Sequence, residues 1–269
     1  MAGCRGDAIA TGGQMSASSD TVPREIVTAG LLVIGDEVLS GRTKDKNIGY
    51  VAEFLTAIGI DLKEVRVVAD EEPAIVEALN ALRSRYSYVF TTGGIGPTHD
   101  DITADAVAKA FGVGIDHDPR AVAMLRQRFG DADLNEARMR MARIPFGAEL
   151  VPNRVSTAPG FRLGNVVVMA GVPTIMQAML DEVAKTLRTG AKMLSETVRA
   201  DAREGDIGTP LADVAKAHPD TLIGSYPFFD EARGPNTNIV VRSRDPEKLA
   251  AAKAAVEAML ARIRAGRPC

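Results

Sequence analysis

Two patterns in this 269-residue chain predict a three-layer α/β/α domain with a mostly parallel sheet, followed by a small C-terminal α+β domain. The first is a recurrence of short, unbroken apolar runs, at residues 29–34 (AGLLVI), 88–90 (YVF) and 166–170 (VVVMA), which suit strands buried on both faces. The second is what separates them: helical stretches of about ten to fifteen residues, the spacing of right-handed βαβ crossovers. From about residue 195 the pattern changes to strand, helix, two strands and helix. The expected division is a flexible tail over 1–24, the α/β domain over 25–190 and the small domain over 195–269.

In order along the chain, the first strand ends at Gly35. Ile48, Val51, Ala52, Leu55 and Ile58 then recur at helical spacing, and Gly59 follows as a stop signal. Residues 60–68 alternate as a strand, and Asp70 is placed as N-cap of a helix marked by Ile75, Val76, Leu79 and Leu82. The third strand runs into a glycine loop, after which a helix begins near Thr103. Residues 119–129 and 134–142 predict short helices forming a cap or an interface. Residues 150–163, with Pro152, Pro159 and Gly160, predict irregular edge strands or a loop. After the run at 166–170, Gly171 and Pro173 lead into a helix through Ile175, Met179, Val183 and Leu187. In the C-terminal domain, strands are expected at 197–200, 221–226 and 238–243 and a helix at 211–217. The last helix has Asp245 as cap, Pro246 at its first position, and Leu249, Val256, Leu260 and Ile263 on one face. Ser225-Tyr226-Pro227-Phe228-Phe229 is expected to open a long loop ending near Asn236, where exposed aromatics would mark an interface.

Composition narrows the function. Hydrophobic residues at 46% and charged residues at 25% are ordinary for a globular chain, and a net charge of -3 does not supply the field a nucleic-acid binder needs. Cys4 and Cys269, one near each end, give neither a disulfide framework nor a thiolate cluster, which fits a reducing cytoplasm. Residues 1–24 are rich in Gly, Ser, Ala and Thr without an apolar core, so they do not read as a signal peptide, and Met15 could serve as the start. No apolar run approaches the ~20 residues of a membrane span.

The chemistry concentrates in residues 91–103 (TTGGIGPTHDDIT). Gly93, Gly94 and Gly96 at a strand-to-helix junction allow close backbone approach to a ligand, and free N–H groups at the next helix start favour an anion. Asp100 and Asp101 would repel a bare phosphate, so they call for a divalent cation or a proton-transfer role. Thr98 and Asp101 also match a capping box, and His99 could donate to a phosphate or simply be solvated. The segment is not a dinucleotide fingerprint, because His99 replaces the third glycine, and the chain has no GKS or GKT loop. Residues 35–47 (GDEVLSGRTKDKN) bring Gly35, Asp36, Glu37 and Asn47 to the same sheet edge, as does Asp70 after the second strand. Ligands of such sheets bind beyond the carboxyl ends of the strands, so these loops and Gly171 should share one cleft. Gly205-Asp206-Ile207-Gly208 has the spacing of an RNA-clamping loop, but its acidic neighbours favour a plain turn before a helix.

In order, GDEVLSGRTKDKN, VVADEEP, TTGGIGPTHDDITADAVA and MAGVP resemble the molybdopterin-binding domain family. That family includes the molybdenum cofactor biosynthesis proteins of the MoaB and Mog type. Within it the chain most resembles the N-terminal region of animal FAD synthase and of competence/damage-inducible protein A, from Ile26 to Ile263. The chain ends without the FAD-synthesising or amidohydrolase domain of those larger proteins, so neither activity is expected. The resemblance implies two aspartates around Mg²⁺, matched by Asp70 and Asp101, and a phosphate held by Gly93, Gly94 and Gly96. It implies hydrolysis of a dinucleotide pyrophosphate, in FAD or ADP-ribose, with Mg²⁺, Mn²⁺ or Co²⁺. Asp100, Asp36 and Glu37 are then second choices for metal or base. The alternatives are a non-catalytic molybdopterin binder and a molybdopterin adenylyltransferase. The ligand is a small nucleotide or pterin in each case, and a homo-oligomer without nucleic-acid or membrane partners is expected. The chain departs from the family's LPGVP-x-E-M at Ala170 and at Ile175, where glutamate is usual.

Overall fold

The computed structural model describes residues 25–265; the tail over 1–24, with Cys4 and Met15, and Cys269 lie outside the described residues. The chain forms β1 (Val27–Ile34), one helical turn α1 (Asp36–Leu39), α2 (Asn47–Ala57), β2 (Ile60–Val68), α3 (Glu72–Arg83), β3 (Tyr88–Thr92) and α4 (Thr103–Phe111). An antiparallel ribbon of β4 (Ile115–His117) and β5 (Arg143–Pro145) brackets α5 (Pro119–Asp133), α6 (Glu136–Met139) and a 3₁₀ turn (Arg140–Ala142). Then come β6 (Glu149–Val151), β7 (Gly160–Leu163), β8 (Val166–Met169) and α7 (Pro173–Ala184). The C-terminal part holds β9 (Leu194–Arg199), α8 (Glu204–Ala217), β10 (Leu222–Asp230), β11 (Gly234–Ser243) and α9 (Pro246–Ala265).

The main sheet has the order β2-β1-β3-β8-β7-β6, parallel from β2 to β8 and antiparallel at β7 and β6. Its central strands are buried on both faces, which is why they read as continuous apolar runs. On one face Leu32, Val89 and Val168 pack with Ile75, Leu79 and Leu82 of α3, Val107 of α4 and Leu125 of α5. On the other, Leu31, Phe90 and Val167 meet Val51 and Leu55 of α2 and Met176, Leu180 and Val183 of α7. These are the three layers. Full burial of each such side chain contributes ~1.5–3 kcal/mol. A separate core, with Ile207, Leu211, Ile239, Val241, Val256 and Leu260, joins α8 and α9 to the antiparallel sheet β10-β11-β9. No helix among the described residues is long and apolar enough to cross a membrane.

Four local expectations are corrected. The helix after β2 is N-capped at Glu71 without a side-chain bond, because the Asp70 carboxylate instead accepts from the Asp36 amide across the sheet edge. The helix after the glycine loop starts only at Thr103, so Thr98 caps nothing; Asp101 still reaches back to the Thr98 amide, closing a turn rather than a helix. Gly205 and Gly208 lie inside α8, which begins at Glu204 and carries Pro210 internally. Burial of Ile207, Leu211 and Val214 on one helical stripe outweighs the poor propensity of two glycines and a proline. Finally, the long loop expected from Ser225 is a hairpin: Phe228 pairs with Asn236 and Asp230 with Gly234, whose φ of +75° supports the tight return. Pro227 is tolerated because β10 is an edge strand. Tyr226 and Phe229 remain 51% and 72% exposed on it.

Arg244, just past β11, donates to the Asp61 carboxylate of β2 at 2.6 Å and to the Ala191 carbonyl at 3.2 Å, tying the small unit to the sheet and its connecting segment. Burial acts to raise the Asp61 carboxyl, but its bonds to Arg244 and Lys63 outweigh that and hold it below its ordinary value. A depressed folded-state value means the stabilisation is complete above the ordinary value of 3.8 and is lost as pH falls through the lower folded one. A double-mutant cycle of Arg244→Ala and Asp61→Asn, followed by urea denaturation, is expected to give a coupling of ~1 kcal/mol at pH 7 that fades below pH ~4.

Candidate functional site

The carboxyl ends of β1, β3 and β8 meet with almost no room between backbones. Gly93 has φ +105°, and a Cβ there would lie 2.1 Å from the Ile34 carbonyl oxygen. Its amide donates to the Met169 carbonyl at 3.1 Å, so this one residue is wedged between β1 and β8. At Gly94, φ is +66° and a Cβ would meet Thr103 Oγ1 at 2.1 Å. Thr103 fills that space with purpose: its hydroxyl donates to the Gly93 carbonyl and its amide to the Gly94 carbonyl, each at 3.0 Å. The first turn of α4 is thereby bolted to the loop that precedes it.

Above this junction lies a cavity of about 400 Å³. Of the residues singled out from sequence, Gly35, Glu37, Asp70, Gly93, Gly94, Gly96, Asp100, Asp101 and Gly171 line it. Asp36, Asn47, Thr98 and His99 do not, and three of them act at one remove. Asp36 and Asp70 exchange bonds, the Asp36 amide to Asp70 Oδ2 at 2.9 Å and the Asp70 amide to Asp36 Oδ1 at 3.4 Å. Asn47 is buried and donates from Nδ2 to the Gly171 carbonyl at 2.8 Å, while Asp45 accepts from the amides of Asn47 and Ile48 and so fastens the start of α2. The Thr98 amide and hydroxyl both donate to Asp101 Oδ2, at 2.8 and 2.5 Å. His99 is exposed on the turn.

The carboxylates are not equivalent. Asp70 is raised above its ordinary value first by burial and then by the negative charges of Asp36, Glu37 and Asp100, against the lowering bond from the Asp36 amide. Asp100 is lowered, chiefly by the Thr98 hydroxyl, whose single proton it shares with Asp101, and also by its own backbone amide. Asp70 is thus coupled to Asp36, Glu37 and Asp100, whereas the Asp101 carboxylate is turned toward Thr98. Arg140 braces the same turn from outside, donating to the Thr98 carbonyl at 3.2 Å and the Asp101 carbonyl at 3.4 Å.

The apolar part of the lining, which includes Phe129, Met141, Val172, Ile175 and Met179, was missed from sequence. Phe129 and Met141 come from the segment between β4 and β5 that reads as a cap, and Ile175 stands where the family pattern carries glutamate. Scattered single apolar residues in short helices give no periodic signal, and only the fold reveals which of them face the cleft.

Residues 30–189 match the family described as a probable molybdopterin binding domain, and residues 192–265 match FAD synthase, middle domain. A probable FAD synthase of Caenorhabditis briggsae is 31% identical over 269 residues, covering 88% of this chain and 50% of that protein. The chain therefore spans about half the length of that relative. A protein of Pyrobaculum arsenaticum is 35% identical over 222 residues, 78% of this chain and 84% of that one. Among solved structures, the protein CinA with unknown function from Thermoplasma acidophilum is 34% identical, with a TM-score of 0.57 over 60% of this chain and 98% of that one.

Two outcomes are expected from this geometry. Gly93→Ala should lose about 1–3 kcal/mol of unfolding free energy in urea, through the forced φ and the contact with the Ile34 carbonyl. Asp70→Asn should stabilise the ligand-free protein at pH 7, raising Tm by roughly 1–3 °C. A raised folded-state carboxyl means stability present below the ordinary value of 3.8 and lost as pH rises through the folded value, so the gain from Asn should vanish in acid.

Proposed function

The chain belongs to the molybdopterin-binding domain family, and from that membership we propose that it binds a phosphorylated nucleotide or pterin and hydrolyses a dinucleotide pyrophosphate, FAD or ADP-ribose, with a divalent metal. One observation carries the reading. The cavity wall presents Glu37, Asp70, Asp100 and Asp101 beside the glycine loop, and among the described residues no Lys, Arg or His lines it. A phosphate can share that wall only if positive charge comes with it, and hard carboxylate oxygens suit Mg²⁺, Mn²⁺ or Co²⁺.

Among the described residues no three His, Cys, Asp or Glu side chains converge into a ready metal site. In the proposed reading the cation would be held by one or two carboxylates and completed by the substrate's phosphates, as is usual for Mg²⁺. Asp70 and Asp101 would hold it. When bound, it offsets the repulsion between phosphate and carboxylates and polarises the phosphoryl group. The chain's own contribution is positional. Gly94 and Gly96 would offer backbone to the phosphate, Gly93, its own amide taken by Met169, would allow the close approach, and Thr98 and Arg140 hold the acidic turn in place. Asp100 or Glu37, which line the cavity, would take the proton of the attacking water; Asp36, a further candidate from the sequence, does not line it.

The test is to incubate the protein with FAD, ADP-ribose, or ATP plus molybdopterin, each with Mg²⁺, Mn²⁺ or Co²⁺. AMP release from the dinucleotides is expected. Asp70→Asn and Asp101→Asn should each reduce it at least ~10²-fold while leaving the thermal transition cooperative. Tight pterin binding without turnover under any metal would instead assign a non-catalytic binder, and adenylylation of molybdopterin an adenylyltransferase.

A further inference from the structure

The phosphate chemistry proposed above makes no use of the apolar part of the cavity lining. Phe129 lies at the end of the regular part of α5, where Gly130 takes φ +73° and ψ +166° and redirects the chain. The ring is held from outside: the Arg138 guanidinium sits 4.4 Å from its centroid. Arg138 is itself fixed, its amide donating to Asn135 Oδ1 at 3.0 Å and its guanidinium to the Asp133 carbonyl. Phe129 is only half-buried and lines the cavity. Met141, from the 3₁₀ turn, lines it too, and the neighbouring Arg140 bonds the carbonyls at both ends of the Thr98–Asp101 turn. The apolar wall and the acidic turn are therefore held in a set relation.

A phenyl ring with a guanidinium over one face, sharing the cavity lining with a polarizable thioether, is suited to pack against a flat aromatic surface. A cavity of about 400 Å³ accommodates one such ring system and its phosphate. We propose that Phe129 and Met141 form the subsite for the planar heterocycle of the ligand, with Phe129 the residue that makes binding depend on a ring rather than on phosphate alone. This rests on the nucleotide or pterin reading above and adds to it the place where the ring sits.

The experiment compares FMN, AMP and inorganic pyrophosphate, each with Mg²⁺, by calorimetry on the full chain. Phe129→Ala is expected to weaken FMN or AMP about tenfold while leaving pyrophosphate unchanged, and Phe129→Leu to do so less. Whichever mononucleotide is affected identifies the ring the subsite takes. Equal loss for pyrophosphate, or no loss for either mononucleotide, overturns the proposal. A measurement on the unmutated protein guards against misfolded variants: the Met141 methyl resonance should shift upfield with the ring-bearing ligand and stay in place with pyrophosphate. Failure of the unmutated protein to bind any of the three removes the functional reading itself, and the subsite with it. Binding of all three with a stationary Met141 methyl removes only the subsite.

Discussion

Everything at the cleft depends on one close approach: the backbone of Gly93 against the carbonyl of Ile34, with its amide on Met169. Two parallel strands can end this near each other only where no Cβ intervenes, and the third, β8, is drawn in by the same residue. Because the three strand ends converge, the loops that follow them also converge. That is how residues as distant as Gly35, Asp70, Asp101 and Gly171 line one cavity. Thr103 then fixes where α4 begins, which sets where the acidic turn must lie.

On this frame the chain assembles a cavity of two unlike halves. The acidic half is internally frustrated: Asp70 is partly buried and faces three negative neighbours, an arrangement that folding alone does not favour. The Asp36 amide holds Asp70 in this position, while the Thr98 hydroxyl and Arg140 fasten the acidic turn. The apolar half is conventional packing left unfinished. Phe129 and Met141 extend the main core outward and stop at the cavity. A ligand with charge at one end and a flat apolar surface at the other completes both halves together.

Much of this was legible in the sequence where the physics is local or periodic. The buried runs gave β1, β3 and β8, because strands covered on both faces leave no polar alternation to misread. The glycine loop was legible because few other residues tolerate its φ values. The limits have equally definite causes. Asp70 and Thr98 look like caps because short polar side chains before a helix usually are, yet the distant Asp36 amide takes the Asp70 bond, and the local Thr98–Asp101 pair closes a turn ahead of a helix that starts only at Thr103. α8 was shortened by its glycines and Pro210, which a buried stripe overrides. The hairpin of β10 and β11 was masked by Pro227, a breaker only where a ladder bond is needed. Phe129 and Arg138 carried no signal at all, since a ring clamped by a guanidinium nine residues away depends on a kink at Gly130 that sequence does not locate.

The bond from Asn47 to the Gly171 carbonyl joins residues 124 positions apart and closes the cavity between its first and last loops. β8, which supplies the central neighbour of β3, is also the last strand of its sheet to be synthesised. During synthesis the glycine loop therefore precedes the strand whose Met169 carbonyl holds it. High contact order of this kind slows folding and concentrates it in a late, cooperative step. The cavity is thus a property only of the finished α/β unit, because a chain cut before β8 lacks both the Met169 carbonyl that holds Gly93 and the Gly171 that lines the cleft.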